Sequence, residues 1–212
     1  MNNVLQDMNP VLQMLTVMTL FSLIPFVFCC MTCFLRFTIV FSLLKTAMGV
    51  QVPPSIVTIG LCMILTFYTM GGVFEQMYAK GSIPYQKNGN LIMAIDEGSK
   101  PLKEFMMKQT RESDLAFFVE LKRKAPPKSP EDITIWEVAP AYILSELKVA
   151  FEIGFVVFVP FIVLDLVVAN ILLALGMFML SPTIISLPFK LLIFIAVDGW
   201  ALIVQGLVQS YN

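Results

Sequence analysis

The chain has 212 residues, 58% of them hydrophobic and 14% charged, against roughly 45–50% and 25% in an ordinary soluble domain, so its composition is that of a membrane-type chain. Fourteen Lys and Arg stand against 15 Asp and Glu, too little cationic surplus to neutralise a row of phosphates, which excludes nucleic acid as a partner. Histidine is absent; this excludes Ser-His-Asp and Cys-His nucleophilic sites and most zinc and haem sites, so neither an enzyme nor a cofactor is expected.

In chain order, residues 1–10 are polar, contain Asp7 and carry no Lys or Arg. A cleavable signal peptide would begin with a basic region and end at a small-residue site, so the first apolar segment is expected to stay. It runs from Val11 to Leu35 and continues past Arg36 to Met48. Pro25 removes a backbone hydrogen bond and is expected to kink the helix. Arg36 and Lys45 interrupt what would be a further crossing, and either snorkel to a boundary or pair with acids on neighbouring helices. Cys29, Cys30, Cys33 and Cys62 all fall in apolar segments. Cys29 and Cys33 share a helical face, but no fourth convergent ligand is visible, so packing is the expected role and no metal site is expected. Gly49-Val50-Gln51-Val52-Pro53-Pro54 reads as a helix-ending glycine followed by prolines that start the next helix. Ser55 to Phe74 is long enough to span, and residues 1–74 form an amino-terminal set of hydrophobic helices.

Between Glu75 and Glu137 lie ten of the 14 basic and ten of the 15 acidic residues. Residues 75–139 are therefore expected to form an aqueous helical domain. Within it, the spacing of Leu102, Phe105, Met106, Leu115, Phe118 and Leu121 predicts one amphipathic helix over Pro101 to Lys124. Lys122-Arg123-Lys124 closes that helix, and Ala125-Pro126-Pro127-Lys128-Ser129-Pro130 breaks it. Because the amino-terminal tail lacks basic residues, it is expected outside the cytoplasm; if every long segment spans, the middle domain and the carboxyl terminus join it there.

Residues 140–212 hold two further apolar segments, from Val149 to Val208, joined by Gly176-Met177-Phe178-Met179-Leu180-Ser181-Pro182. Each can cross a bilayer by length, yet they carry Glu152, Asp165, Asn170, Lys190 and Asp198, which must face protein or water. The joining loop is apolar where a loop at a membrane surface is normally polar. With Gly176 and Pro182 as its hinges, it suggests a seal or a gate.

Pro140 to Phe155, reading PAYILSELKVAFEIGF, closely resembles the signature of the FliP/SctR family, the core export-gate proteins of type III secretion systems. Other stretches accompany it in order: Gly49 to Pro54, Phe105 to Leu115 with Gln109-Thr110-Arg111-Glu112-Ser113-Asp114, Phe161 to Leu175, Leu187-Pro188-Phe189-Lys190, and Asp198-Gly199-Trp200. The resemblance implies an all-α fold, with membrane-type helical hairpins and an aqueous helical middle domain assembled into a helical pore complex at the bacterial inner membrane and its periplasmic face. It implies a pentamer of this chain with FliQ/SctS-like, FliR/SctT-like and FlhB/SctU-like subunits. Unfolded secretion substrates pass through the centre, and many helices are covered by other subunits rather than by membrane lipid. No catalytic step is implied.

Under that resemblance Met177, Phe178 and Met179 form a gasket that closes the pore at rest, with Phe178 standing where relatives commonly carry a third methionine. Arg36, Glu146, Glu152, Asp165, Lys190 and Asp198 are expected to find partners across helix or subunit interfaces, with Glu146 and Lys190 pairing to each other. Flagellar members often have a longer amino-terminal region with a signal peptide; its absence here favours an injectisome over a flagellar system. From a different class, a small-molecule or ion transporter would also carry charges at membrane depth, but it calls for repeated or inverted halves, which the sequence does not show.

Overall fold

The structure is a computed structural model that describes residues 10–88, 91–122 and 132–211. The tail with Asp7 and the Arg123-Lys124 and Ala125 to Pro130 stretches of the expected basic stop lie outside the described residues. Among the described residues the regular structure is entirely helical. The helices are α1 Pro10–Met31, α2 Phe34–Met48, α3 Ser55–Asn88, α4 Leu91–Gln109, α5 Glu112–Lys122, α6 Ile135–Ala174, α7 Pro182–Ala196 and α8 Gly199–Gln209.

Pro25 sits inside α1 without ending it. The sharp turn comes later, at Thr32-Cys33, where Phe21–Met31 and Phe34–Met48 meet at 69°. A hydroxyl explains that placement: Thr32 Oγ1 donates to the Phe28 carbonyl at 2.6 Å and accepts the Phe34 N–H at 3.3 Å, so a side chain replaces the helical ladder at that point. Beyond the bend, α2 is the most enclosed helix. Phe37, Val40, Phe41 and Leu44 are fully buried, at the three- and four-residue spacing of one helical face, and pack chiefly against α6. Gly154 on α6 makes the approach possible, since a Cβ there would lie 2.2 Å from Leu43 Cδ1. At its end, Gly49 adopts φ 71°, and the N–H groups of Gly49 and Val50 return to the carbonyls of Thr46 and Lys45.

The change from apolar to charged sequence near residue 75 falls inside α3, which continues unbroken from Ser55 to Asn88. α4 runs back along it, and Gly81 and Gly98 meet at the crossing: a Cβ at Gly81 would sit 3.1 Å from the Ala94 carbonyl oxygen, and one at Gly98 3.3 Å from that of Met77. The single helix expected over Pro101 to Lys124 is two helices, with Pro101 inside α4 and a break at Thr110-Arg111. There the Arg111 N–H donates to Ser145 Oγ on α6 at 3.0 Å, so tertiary structure supplies the partner that a continuous helix would have provided.

α6 starts well before the apolar run, at a cap where the Glu137 carboxylate accepts the Thr134 N–H at 2.6 Å and the Thr134 hydroxyl at 2.8 Å. Its 40 residues make it about 60 Å long at 1.5 Å per residue. The second carboxyl-terminal segment is bent by 62° between α7 and α8, at Asp198, whose φ of 52° is left-handed. Among the described residues, two helical stretches can cross a membrane by length and composition, Ser55–Pro84 and Ile135–Ala174, and up to four if each bent pair counts as one span. The fold is all-α and of membrane type.

Candidate functional site

The α6–α7 connection is built by a helix terminus of defined geometry. Gly176 has φ 73°, the Gly176 N–H donates to Leu173 O at 3.1 Å, and the Met177 N–H donates to Leu172 O at 2.9 Å. This paired closure requires a residue at left-handed φ, which glycine adopts without penalty, and it turns the chain sharply out of α6. Pro182 then occupies the first turn of α7, where its missing N–H costs nothing. Between these two fixed ends the side chains point away from the rest of the chain. Met179 is 99% exposed, Phe178 77% and Met177 46%. Three large apolar side chains in that state need a cover that the described residues do not supply.

Beneath the loop, α6 and α7 are tied by an ion pair. Lys190 Nζ lies 2.7 Å from Asp165 Oδ2 and also donates to the Ala47 carbonyl at 3.0 Å. The Ser186 hydroxyl donates to Asp165 Oδ1. Lys190 is buried, whereas the Asp165 side chain keeps about a third of its surface. One ammonium thus joins α6, α7 and a free carbonyl in the last turn of α2, the negative end of that helix. Gly49, which terminates α2, stands next to Thr183 at the start of α7. The base of the loop therefore rests on the end of α2.

A second cluster closes the far end of the bundle. Arg36 donates to Glu146 through Nε at 2.9 Å and through Nη2, and its Nη1 reaches Ser210 Oγ at 2.8 Å. The Tyr211 hydroxyl donates to Glu146, and its ring lies 3.9 Å from the guanidinium carbon of Arg36. Glu146 is fully buried and Arg36 nearly so. The planar fork of an arginine on a carboxylate suits such a site, since it satisfies both oxygens while the aromatic face covers the cation.

A third cluster joins two of the stretches that carry the family resemblance. Lys148 and Ser145 on α6 both donate to Asp114 at the start of α5, Ser145 at 2.8 Å. Arg111 pairs with Glu152 at 2.6 Å in a more exposed setting. The hydrogen bond from Lys148, aided by that from Ser145, holds the Asp114 carboxyl below the usual carboxylate range.

Glu146 and Lys190, expected to pair within or between subunits, are not joined to each other in the single chain. Within the chain the two belong to different clusters, Glu146 with Arg36 and Lys190 with Asp165. Charge alone allowed either combination, and the packing of α2 decided it by bringing Arg36 to α6 and its own carboxyl end to Lys190. Asp198 joins none of these pairs; it is exposed and occupies the bend before α8. The sequence reading missed Ser145, Lys148 and Asp114, although all three lie inside the two family-like stretches. It also missed Tyr211, for which the sequence offers no local signal. Among the described residues no group of three or more Cys, Asp or Glu is placed to hold a metal. The four cysteines are free thiols, Cys33 and Cys62 buried and Cys29 and Cys30 partly so.

Comparison with known proteins places these features in a family. The model of the FliP family matches residues 17–207. The flagellar biosynthetic protein FliP of Bacillus subtilis (strain 168) is 42% identical over 97% of this chain and 94% of its own length. Those of Pectobacterium carotovorum subsp. carotovorum and Caulobacter vibrioides are each 44% identical, over 94% and 95% of this chain and 78% and 77% of their own lengths. All three carry flagellar names, so the preference for an injectisome finds no support in them. A family match across nearly all of α1 to α8, with high identity to relatives covered over most of their length, leads to one conclusion: the chain belongs to the FliP family and is a component of the type III export apparatus, not an enzyme.

Proposed function

We propose that this chain is a pore-forming subunit of the flagellar type III export gate, which conducts unfolded proteins across the bacterial inner membrane, and that Met177, Phe178 and Met179 close that pore at rest. The observation that carries the reading is the exposure of these three side chains on a loop whose two ends are fixed by Gly176 and Pro182. A single copy leaves them bare, whereas copies related by rotation can bury them against one another. Methionine suits this task because its unbranched thioether adapts to several neighbours, and a narrow apolar ring excludes ions by dewetting. Phe178, stiffer and wider, fills more of the aperture per side chain.

The rest of the molecule fits a subunit that is covered by others. On α6 Phe151, Phe155, Val156, Val163, Leu166 and Val167 are all more than half or about half exposed, a continuous apolar face that lipid or further protein must cover. We assign that face to assembly: five copies of this chain, with FliQ/SctS-like, FliR/SctT-like and FlhB/SctU-like subunits, and residues 75–139 as the polar domain on the periplasmic side. The reading is tested by proximity. With Cys29, Cys30, Cys33 and Cys62 replaced by Ser or Ala, the Met179→Cys substitution in the assembled complex should give chain-to-chain disulfides under mild oxidation. The exposed position Lys108→Cys should not. If Met179→Cys stays monomeric in a complex of full mass, the loops do not converge and the seal is wrong.

A further inference from the structure

A groove of about 820 Å3 lies between the second half of α2 and the start of α3, beneath the Gly49 to Pro54 turn. Its wall carries the hydroxyls of Thr38, Ser42, Thr46, Ser55 and Thr58 and one cation, Lys45. Thr38 and Thr46 donate to their own helix, at 2.7 and 2.9 Å. Among the described residues, Lys45, Ser42 and Ser55 have no side-chain hydrogen bond or ion pair. Lys45 is partly buried. The other two cations withdrawn into this part of the molecule, Arg36 and Lys190, each have a carboxylate. Lys45 alone faces a groove without a counter-charge, and taking an ammonium partly out of water without one is unfavourable.

The lining of the groove also includes Ile59. From Ile59 in its wall an apolar strip continues along α3 through Ile56 and Met63, spaced three and four residues apart on one face and exposed by 75%, 40% and 41% for Ile56, Ile59 and Met63. A cation and hydroxyls at the head of a strip of exposed apolar side chains is the pattern of an amphiphile. It also stands at the start of Ser55–Pro84, a stretch able to cross a membrane, where a headgroup would lie. An acidic peptide or a free phosphate would use Lys45 and leave the strip bare.

We propose that this groove binds one anionic phospholipid, with its phosphate held by Lys45, Ser42 and Ser55 and an acyl chain lying along Ile56, Ile59 and Met63. The ammonium provides a charge-assisted hydrogen bond to a phosphate oxygen, and the two hydroxyls donate to the others. Because Gly49 in the same wall abuts Thr183, the bound headgroup also braces the turn on which the Met177 loop rests. The site requires that α3 meet a bilayer, and it does not depend on the pore reading.

The test is native mass spectrometry of the detergent-solubilised complex after exchange into phosphatidylglycerol, phosphatidylcholine or inorganic phosphate. Wild type should retain phosphatidylglycerol in preference to phosphatidylcholine. Lys45→Gln should reduce that retention about tenfold at unchanged subunit mass, as loss of one charge-assisted hydrogen bond implies, and Lys45→Arg should restore it. Ile59→Ser should weaken both lipids alike. Retention by Lys45→Gln equal to wild type overturns the proposal. So does loss of a protein subunit instead of lipid, which would make Lys45 a contact between chains, and so does competition by inorganic phosphate as strong as that by phosphatidylglycerol. The Ser42→Ala, Ser55→Ala double variant, which leaves the charge in place, should show a smaller loss in the same direction; no loss there with none in Lys45→Gln counts equally against the site.

Discussion

Replacing Glu146 by Leu should reveal how the buried carboxylate is used. Three donors converge on it, Arg36 Nε, Arg36 Nη2 and the Tyr211 hydroxyl, and the side chain has no exposed surface. Glu146→Leu leaves a guanidinium that is itself almost fully buried, with Ser210 as its remaining hydrogen-bond partner, and breaking a buried pair from one side costs about 3–5 kcal/mol. Arg36→Met strands Glu146 with only the tyrosine hydroxyl and should cost a similar amount. Combining the two removes both charges and leaves one orphan, the Tyr211 hydroxyl, at about 1–3 kcal/mol. The double variant should therefore be more stable than either single one, with a coupling of about 3 kcal/mol or more between the sites. Tyr211→Phe added to the pair should recover most of the rest. Guanidinium unfolding of the purified chain in a mild detergent, followed by far-ultraviolet circular dichroism, gives the four corners of the cycle. Additive losses, with the double variant the least stable, would refute the idea that Arg36 and Glu146 answer one another.

The pair beneath the loop should respond asymmetrically. Asp165→Asn leaves the Lys190 ammonium buried with only the Ala47 carbonyl and Asp165's amide as partners, whereas Lys190→Met leaves an Asp165 that already reaches water; the first should cost more in the same unfolding assay, by about 1–2 kcal/mol, and equal losses would show that burial does not govern the pair. Gly199→Ala puts a Cβ 2.3 Å from Phe194 Cε2, and forcing that ring aside should cost about 1–3 kcal/mol, seen as a lowered unfolding midpoint. The pH dependence follows from Asp114, whose depressed folded-state value makes protonation unfavourable to the folded chain. Its contribution is complete above the ordinary carboxylate range and is lost as pH falls through the depressed value, so acid unfolding of Asp114→Asn should show a shallower dependence there than wild type. An unchanged slope would show that Asp114 carries none of that dependence.

Much of the helical content was legible because apolar runs, prolines and glycines speak locally. Gly49 announced a helix end and Gly176 a loop hinge, and both prove to be left-handed closures of the same kind. The bends were not legible. Pro25 was the visible signal, yet the chain turns at Thr32, where a hydroxyl that looks ordinary in sequence takes over two backbone bonds. The amphipathic run over Pro101 to Lys124 concealed a break because its cause, Ser145, lies in a different helix. The charges were identifiable as needing a partner or water, but which acid meets which base depended on long-range packing. Arg36 reaches Glu146 across 110 positions of sequence, and no local pattern carries that information. The loop itself was the clearest anomaly in the sequence. What the structure adds is that Met179 and Phe178 stand largely uncovered by the described residues of their own chain.

The central claim is that those free side chains close a channel. Ion conductance of the assembled complex in a planar bilayer tests it most directly, comparing wild type with the Met177→Ala, Phe178→Ala, Met179→Ala triple variant at equal complex mass. A resting seal predicts a low wild-type conductance and a clear rise in the variant, since the aperture is widened and its apolar lining thinned. Equal conductance in the two would contradict it.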